Sequence, residues 1–155
     1  KACVFKETDV RNMGRTAAGV RGMKLHNSKL VSLATSLEGS DAFVLSENGL
    51  GKLSELSSYR ETNRGAGGVI TLKVNEKTGK LVGLKMVNGD EDIIVITNNG
   101  QVIRTSLTQI RVMGRNAQGV KIINLKDNEI ATSFTVAPKS EDVQVEESTI
   151  SETKE

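Results

Sequence analysis

What the chain lacks narrows its chemistry first. It has one cysteine, Cys3, and one histidine, His26. A disulfide within the chain is thereby excluded, as is a structural zinc site, which needs four ligands of these types. Such cysteine usage suits a reducing, intracellular compartment. Tryptophan is absent, tyrosine occurs once, and aromatic residues make up 3% of 155 residues. The core must therefore be built from Val, Ile and Leu. No apolar run approaches the ~18 residues of a membrane-spanning helix, so no membrane partner is expected. No signal-peptide pattern follows Lys1, and the chain reads as a piece of something longer. The Gly-rich stretch NRGAGGV at 63–69 lacks the Gly-Lys-Ser/Thr ending of a phosphate-binding loop. No acid recurs beside a base. No catalytic residue is assigned, and no metal or cofactor is expected within the chain.

What is present is glycine, charge and periodicity. Gly occurs 15 times and Pro once, at Pro138. Many glycines among many β-branched residues predict short strands joined by tight turns. The net charge of +2 hides an asymmetry. Residues 139–155 hold six acids against two lysines, whereas 1–138 carry 19 basic and 13 acidic residues. A basic body thus precedes an acidic, polar tail, 139–155, read as disordered or loosely attached.

The decamer RNMGRTAAGV at 11–20 returns as RVMGRNAQGV at 111–120, and RETNRGAGGV at 60–69 is its middle copy. Aligned on Gly19-Val20, Gly68-Val69 and Gly119-Val120, the copies lie 49 and 51 residues apart. Each carries an Arg five before the Val (Arg15, Arg64, Arg115) and another nine before it (Arg11, Arg60, Arg111). DAFVLSENG at 41–49 matches DIIVITNNG at 92–100, and both end in hairpin signals whose turn residues must accept positive φ. Residues 29–37, 69–74, 80–87 and 129–136 read as further strands, and no segment shows a capped helical period. Units at about 1–40, 41–90 and 91–138, each of about four short strands, predict an all-β, radially bladed fold. No unit is large enough to stand alone.

Besides core positions, what repeats is Gly and Arg. A guanidinium offers a planar, always-charged fork suited to phosphate. An Arg-rich loop once per blade would set cations at intervals around a rim, suited to duplex DNA bent along it. Alternatively, the same arginines tie blades together, with Asp41 and Asp92 as possible partners; otherwise those two acids cap turns. Within the loop, Arg15, Arg64 and Arg115 are expected to be more exposed than the Arg11 series, which abuts strand residues. Arg21, Lys73, Arg104 and Lys121 add charge but share no single slot; each can equally be ordinary solvated surface, although Arg21 and Lys121 join the candidate DNA contacts. Tyr59 occupies the slot of Val10 and Ile110 and is expected to pack rather than react.

MGRTAAGVRGMKL, YRETNRGAGGVITLKV and VMGRNAQGVKIINL resemble the blades of the C-terminal domain of DNA gyrase A, one of the two subunit types of a type IIA topoisomerase; the topoisomerase IV domain is related. The resemblance implies a β-pinwheel, here a partial one over 1–138 of about three four-stranded antiparallel blades, with strands exchanged between neighbours. It implies wrapping of double-stranded DNA so that the whole enzyme can introduce negative supercoils. It implies as partners the rest of gyrase A together with gyrase B, with ATP and Mg used elsewhere in the holoenzyme. Of the family's heptapeptide Gln-Arg-Arg-Gly-Gly-Lys-Gly, residues 62–68 keep Arg64, Gly65 and Gly68 and lack the Gln, one Arg and the Lys, so the full box is expected before Lys1. The acidic end resembles tails thought to compete with DNA. A propeller-like scaffold for a protein partner is the alternative from another class.

Overall fold

Aliphatic and β-branched runs that end at an Asn-Gly pair fold back on themselves, and the two clearest runs do so at equivalent places. The computed structural model describes residues 1–139. Its strands are β1 (Asp41–Ser46), β2 (Leu50–Glu55), β3 (Leu81–Val87), β4 (Asp92–Thr97), β5 (Val102–Ser106), β6 (Val120–Lys121) and β7 (Ala131–Ala137). Three single-turn 3-10 helices, Glu7–Asp9, Leu56–Ser58 and Leu107–Gln109, recur at the repeat interval. Each is closed by the same bond, from the N–H of Val10, Tyr59 or Ile110 to the first carbonyl of its turn. No helix among the described residues is long and apolar enough to cross a membrane.

The hairpins β1–β2 and β4–β5 are antiparallel, with Phe43 opposite Leu53 and Val95 opposite Ile103. Their connections differ from the expected two-residue turn. Only the glycines, Gly49 (φ 75°) and Gly100 (φ 78°), take positive φ. Asn48 keeps ordinary backbone and uses its side-chain amide instead, donating to the carbonyls of Glu76 and Lys77. β3 joins the other side of β1, and β7 the other side of β4.

The strand orders are β3-β1-β2-β6 and β5-β4-β7. In the first, β6 belongs to the following copy: Leu50 pairs with Lys121 and Gly51 with Val120. The same exchange joins the first and second copies through the bridge Ala2–Val69. Parallel bridges Val4–Glu61 and Leu53–Val112 complete the correspondence. Each of the second and third decamers thus crosses the second strand of the copy before it.

Four strands per copy is accordingly reached only in the middle sheet. Residues 29–37 form no strand, although they match β3 and β7 in sequence. β3 and β7 exist because β1 and β4 pair with them; among the described residues no strand pairs with 29–37, and Leu33 and Leu37 remain 82% and 92% exposed. Residues 69–74 make one bridge at Val69 and otherwise no strand. The acidic segment read as loosely attached falls, beyond Lys139, outside the described residues.

Burial explains the continuous apolar runs. Ala42 to Ser46 are all buried because β1 lies between neighbours on both faces. Phe43 and Leu45 face the third copy and pack with Ile93, Val95, Leu107 and Ile123; Phe43 meets Phe134 edge-on at 5.2 Å. Ala42, Tyr59 and Met86 form a smaller cluster toward the first copy.

Candidate nucleic-acid interface

The close crossing of loop over strand dictates glycine before the last residue of the second and third decamers. Gly68 and Gly119 have φ of 69° and 88°. A Cβ on Gly119 would lie 2.5 Å from the carbonyl oxygen of Gly51, and one on Gly68 equally close to that of Ala2. Backbone against backbone at this distance admits no side chain.

The arginine five residues before each Val locks the crossing. Arg64 donates from Nε to the carbonyl of Asp9 (2.9 Å) and from a terminal nitrogen to that of Arg21 (2.6 Å). Arg115 donates to the carbonyls of Ser58 (3.2 Å) and Ile70 (3.1 Å), the same positions one repeat on. These forks bridge consecutive loops. The expected order of exposure is therefore corrected: Arg64 and Arg115 are half-buried, whereas Arg11, Arg60 and Arg111 are exposed. The acceptors are main-chain carbonyls, not acids. Arg15 alone of its series is exposed, and no hydrogen bond or ion pair among the described residues engages it.

One residue escaped sequence reasoning. Lys52 on β2 is fully buried, and its Nζ donates to the carbonyls of Gly114 (2.9 Å) and Arg115 (2.5 Å), so the third decamer closes over an ammonium. Burial, then the nearby Arg115 charge, lowers its pKa to about 8. The equivalent in the first copy is Cys3, whose Sγ sits 3.4 Å from Thr62 Oγ1 and faces the Asn63 carbonyl. A lysine between the glycine and leucine of a buried hairpin strand was the available signal.

The Arg11, Arg60 and Arg111 side chains follow the three 3-10 turns, where the chain leaves a strand at a corner. None is engaged by a hydrogen bond or ion pair among the described residues. Arg21 and Lys121, one residue beyond the decamer, are also exposed. Arg104 is not bare surface: its Nε pairs with Asp92 at 2.8 Å and its other end reaches the Pro138 carbonyl. Asp92 is thus held across the β4–β5 pair, and Asp41, at the start of β1, accepts from the neighbouring Ser40 hydroxyl at 3.3 Å. Tyr59 is buried, with its hydroxyl 2.5 Å from that of Thr71. Among the described residues no group of His, Cys, Asp or Glu could hold a metal ion.

Blades that exchange strands through a repeated Gly-Arg loop define a propeller-like β-repeat protein. The family model for the DNA gyrase C-terminal domain, beta-propeller, matches residues 3–36, 40–88 and 91–138, and the chain belongs to that family. It is 48% identical over 134 residues to the DNA gyrase A protein of Ureaplasma parvum, and 53% identical over 123 residues to that of Metamycoplasma arthritidis. These alignments cover 85% and 79% of the chain but 16% and 14% of the relatives, so the chain spans about a sixth of their length. A solved gyrase A C-terminal domain superimposes with a TM-score of 0.73 at 30% identity, over 86% of this chain and 46% of that one. The C-terminal domain of topoisomerase IV superimposes equally well (TM-score 0.74, covering 86% of this chain and 42% of that one) at 20% identity, a likeness of fold. The fold is the β-pinwheel of the gyrase A C-terminal domain.

Proposed function

We propose that the chain binds duplex DNA along its basic rim as a wrapping module of gyrase A, and has no catalytic step of its own. The observation that carries this reading is the repeated, exposed and unengaged row Arg11, Arg60 and Arg111, one per copy at the same corner of the fold. Arg21 and Lys121 extend it, and Arg15 adds a third exposed cation to the first loop. The excess of 19 basic over 13 acidic residues in 1–138 supplies the general attraction. Bending DNA over such a rim would let the whole enzyme present a second duplex segment in the sense needed for negative supercoiling. ATP hydrolysis with its Mg then belongs to gyrase B, strand cleavage to the rest of gyrase A, and the setting is the bacterial cytoplasm. The acidic 139–155 segment would compete with DNA for the same rim.

Arg64 and Arg115, bound to main-chain carbonyls, favour the structural reading for that series, and a scaffold for an acidic protein partner would use the remaining surface. A titration with duplex DNA separates the two. DNA binding predicts sequence-tolerant affinity that falls steeply with salt, because each phosphate contact releases counterions. A folded sample that binds no duplex at low salt would leave the scaffold standing.

A further inference from the structure

The two internal junctions hold their crossing loops by different means. Both have the arginine fork. Both close the loop's own turn, with Ala66 N–H on the Asn63 carbonyl and Ala117 N–H on that of Gly114. Both bond the loop to the chain beneath, Thr62 N–H to the Val4 carbonyl and Met113 N–H to that of Leu53, each at 2.8 Å. Loop 60–69 has two further main-chain ties. Gly65 N–H donates to the Gly22 carbonyl (2.8 Å), and Lys24 N–H donates to that of Ala66 (2.9 Å). The equivalent pairs of loop 111–120, Asn116 with Thr71 and Lys73 with Ala117, are not bonded among the described residues. That loop has Lys52 instead. The fully buried side chain reaches the carbonyls of Gly114 and Arg115 from below. Bonds from a charged donor are stronger than neutral ones. The Cys3 thiol, at the same place under loop 60–69, reaches a single carbonyl, that of Asn63 at 4.0 Å.

We propose that Lys52 is a positioning residue for the DNA contact of the third copy: its ammonium takes the place of the two main-chain ties and holds the segment on which Arg111 stands. This rests on the DNA reading above. Arg111 lies between two fixed points. Before it, the turn at 107–110 is anchored by buried Leu107 and Ile110 and closed by the Ile110 N–H on the Leu107 carbonyl. After it comes the clamp of Leu53 on Met113 and of Lys52 on Gly114 and Arg115. The Arg111 guanidinium is engaged by no hydrogen bond or ion pair among the described residues, so the main chain alone directs it. A cation carried on a segment that is already ordered avoids the entropy loss of ordering it when a phosphate arrives. With the clamp released, the charge is unchanged but its hold on phosphate is weaker. Lys52 itself, fully buried, touches no phosphate.

Two variants of the whole chain and two readouts test this. Lys52→Met removes the donor. Lys52→Cys, kept reduced, places there the residue that already fits beneath loop 60–69, so the fold is retained. In hydrogen exchange, the Met113 N–H should exchange at least ~10-fold faster in either variant, while the Thr62 N–H, which makes the same bond at the other junction, keeps its rate, because exchange reports local opening. In duplex titration at low salt, either variant should bind about as weakly as Arg111→Gln. Added to Arg111→Gln, it should weaken binding by less than about 2-fold further; added to Arg60→Gln, it should cost its full factor, as separate sites do. An unchanged Met113 rate, equal acceleration of Met113 and Thr62, or a full factor on top of Arg111→Gln overturns the positioning role. No duplex binding by the parent chain would instead remove the DNA reading and this role with it, and the exchange rates would still show whether Lys52 orders the loop.

Discussion

The two internal junctions share a plan and differ in filling. At both, a decamer crosses a second strand, a glycine meets the backbone beneath it, and an arginine fork grips two carbonyls of the preceding loop. Between the second and third copies the loop closes over Lys52, and a large cluster around Phe43, Ile93 and Leu107 lies below. Between the first and second copies the loop closes over Cys3, and the buried cluster comprises Ala42, Tyr59 and Met86. The plan is carried by main-chain groups and a few fixed side chains, while junction strength is set by what fills the space between.

The largest effect should come from that filling. Phe43→Ala removes a fully buried ring and its contact with Phe134, and should cost about 3–5 kcal/mol in urea unfolding. Tyr59→Phe in the smaller cluster, losing one hydroxyl contact with Thr71, should cost about 1 kcal/mol. Equal losses would erase the distinction between the junctions.

The buried ammonium offers the next test. Lys52→Met keeps most of the side chain's length but leaves the Gly114 and Arg115 carbonyls without their donor, at about 1–3 kcal/mol. Cys3→Ala at the equivalent place removes a weak donor and should cost less than about 1 kcal/mol.

A smaller effect follows from the charge itself. Lys52 titrates at about 8 in the fold, below the ordinary 10.5. Between those values the unfolded chain binds the extra proton, so this group's contribution to stability rises with pH across about 8 to 10.5. Urea midpoints compared with those of Lys52→Met should show this rise in the parent chain and not in the variant; a fall would contradict the lowered pKa of the buried ammonium.

Much of this was legible in the sequence because repeats report themselves. The 49- and 51-residue spacing located both hairpins and the common slot of Val10, Tyr59 and Ile110. Which strand each loop crosses was not legible, since periodicity shows likeness and not partnership. Residues 29–37 have the apolar content of β3 yet make no strand, because extended backbone needs a neighbour to bond. The two arginine series were ranked in the wrong order for a similar reason. A search for acids finds ion-pair partners, but the acceptors here are carbonyls, which every residue carries and no side chain announces.

In the proposed division of labour the Arg11 series faces DNA, while Arg64 and Arg115 tie loop to loop. Duplex titration of the triple variant Arg11→Gln, Arg60→Gln, Arg111→Gln across a salt series, with urea unfolding of the same sample, tests this directly. The expected result is an unchanged unfolding midpoint together with weaker binding, the slope of log affinity against log salt becoming shallower by about 0.9 for each phosphate contact removed. Unchanged affinity and slope in a folded variant would contradict it.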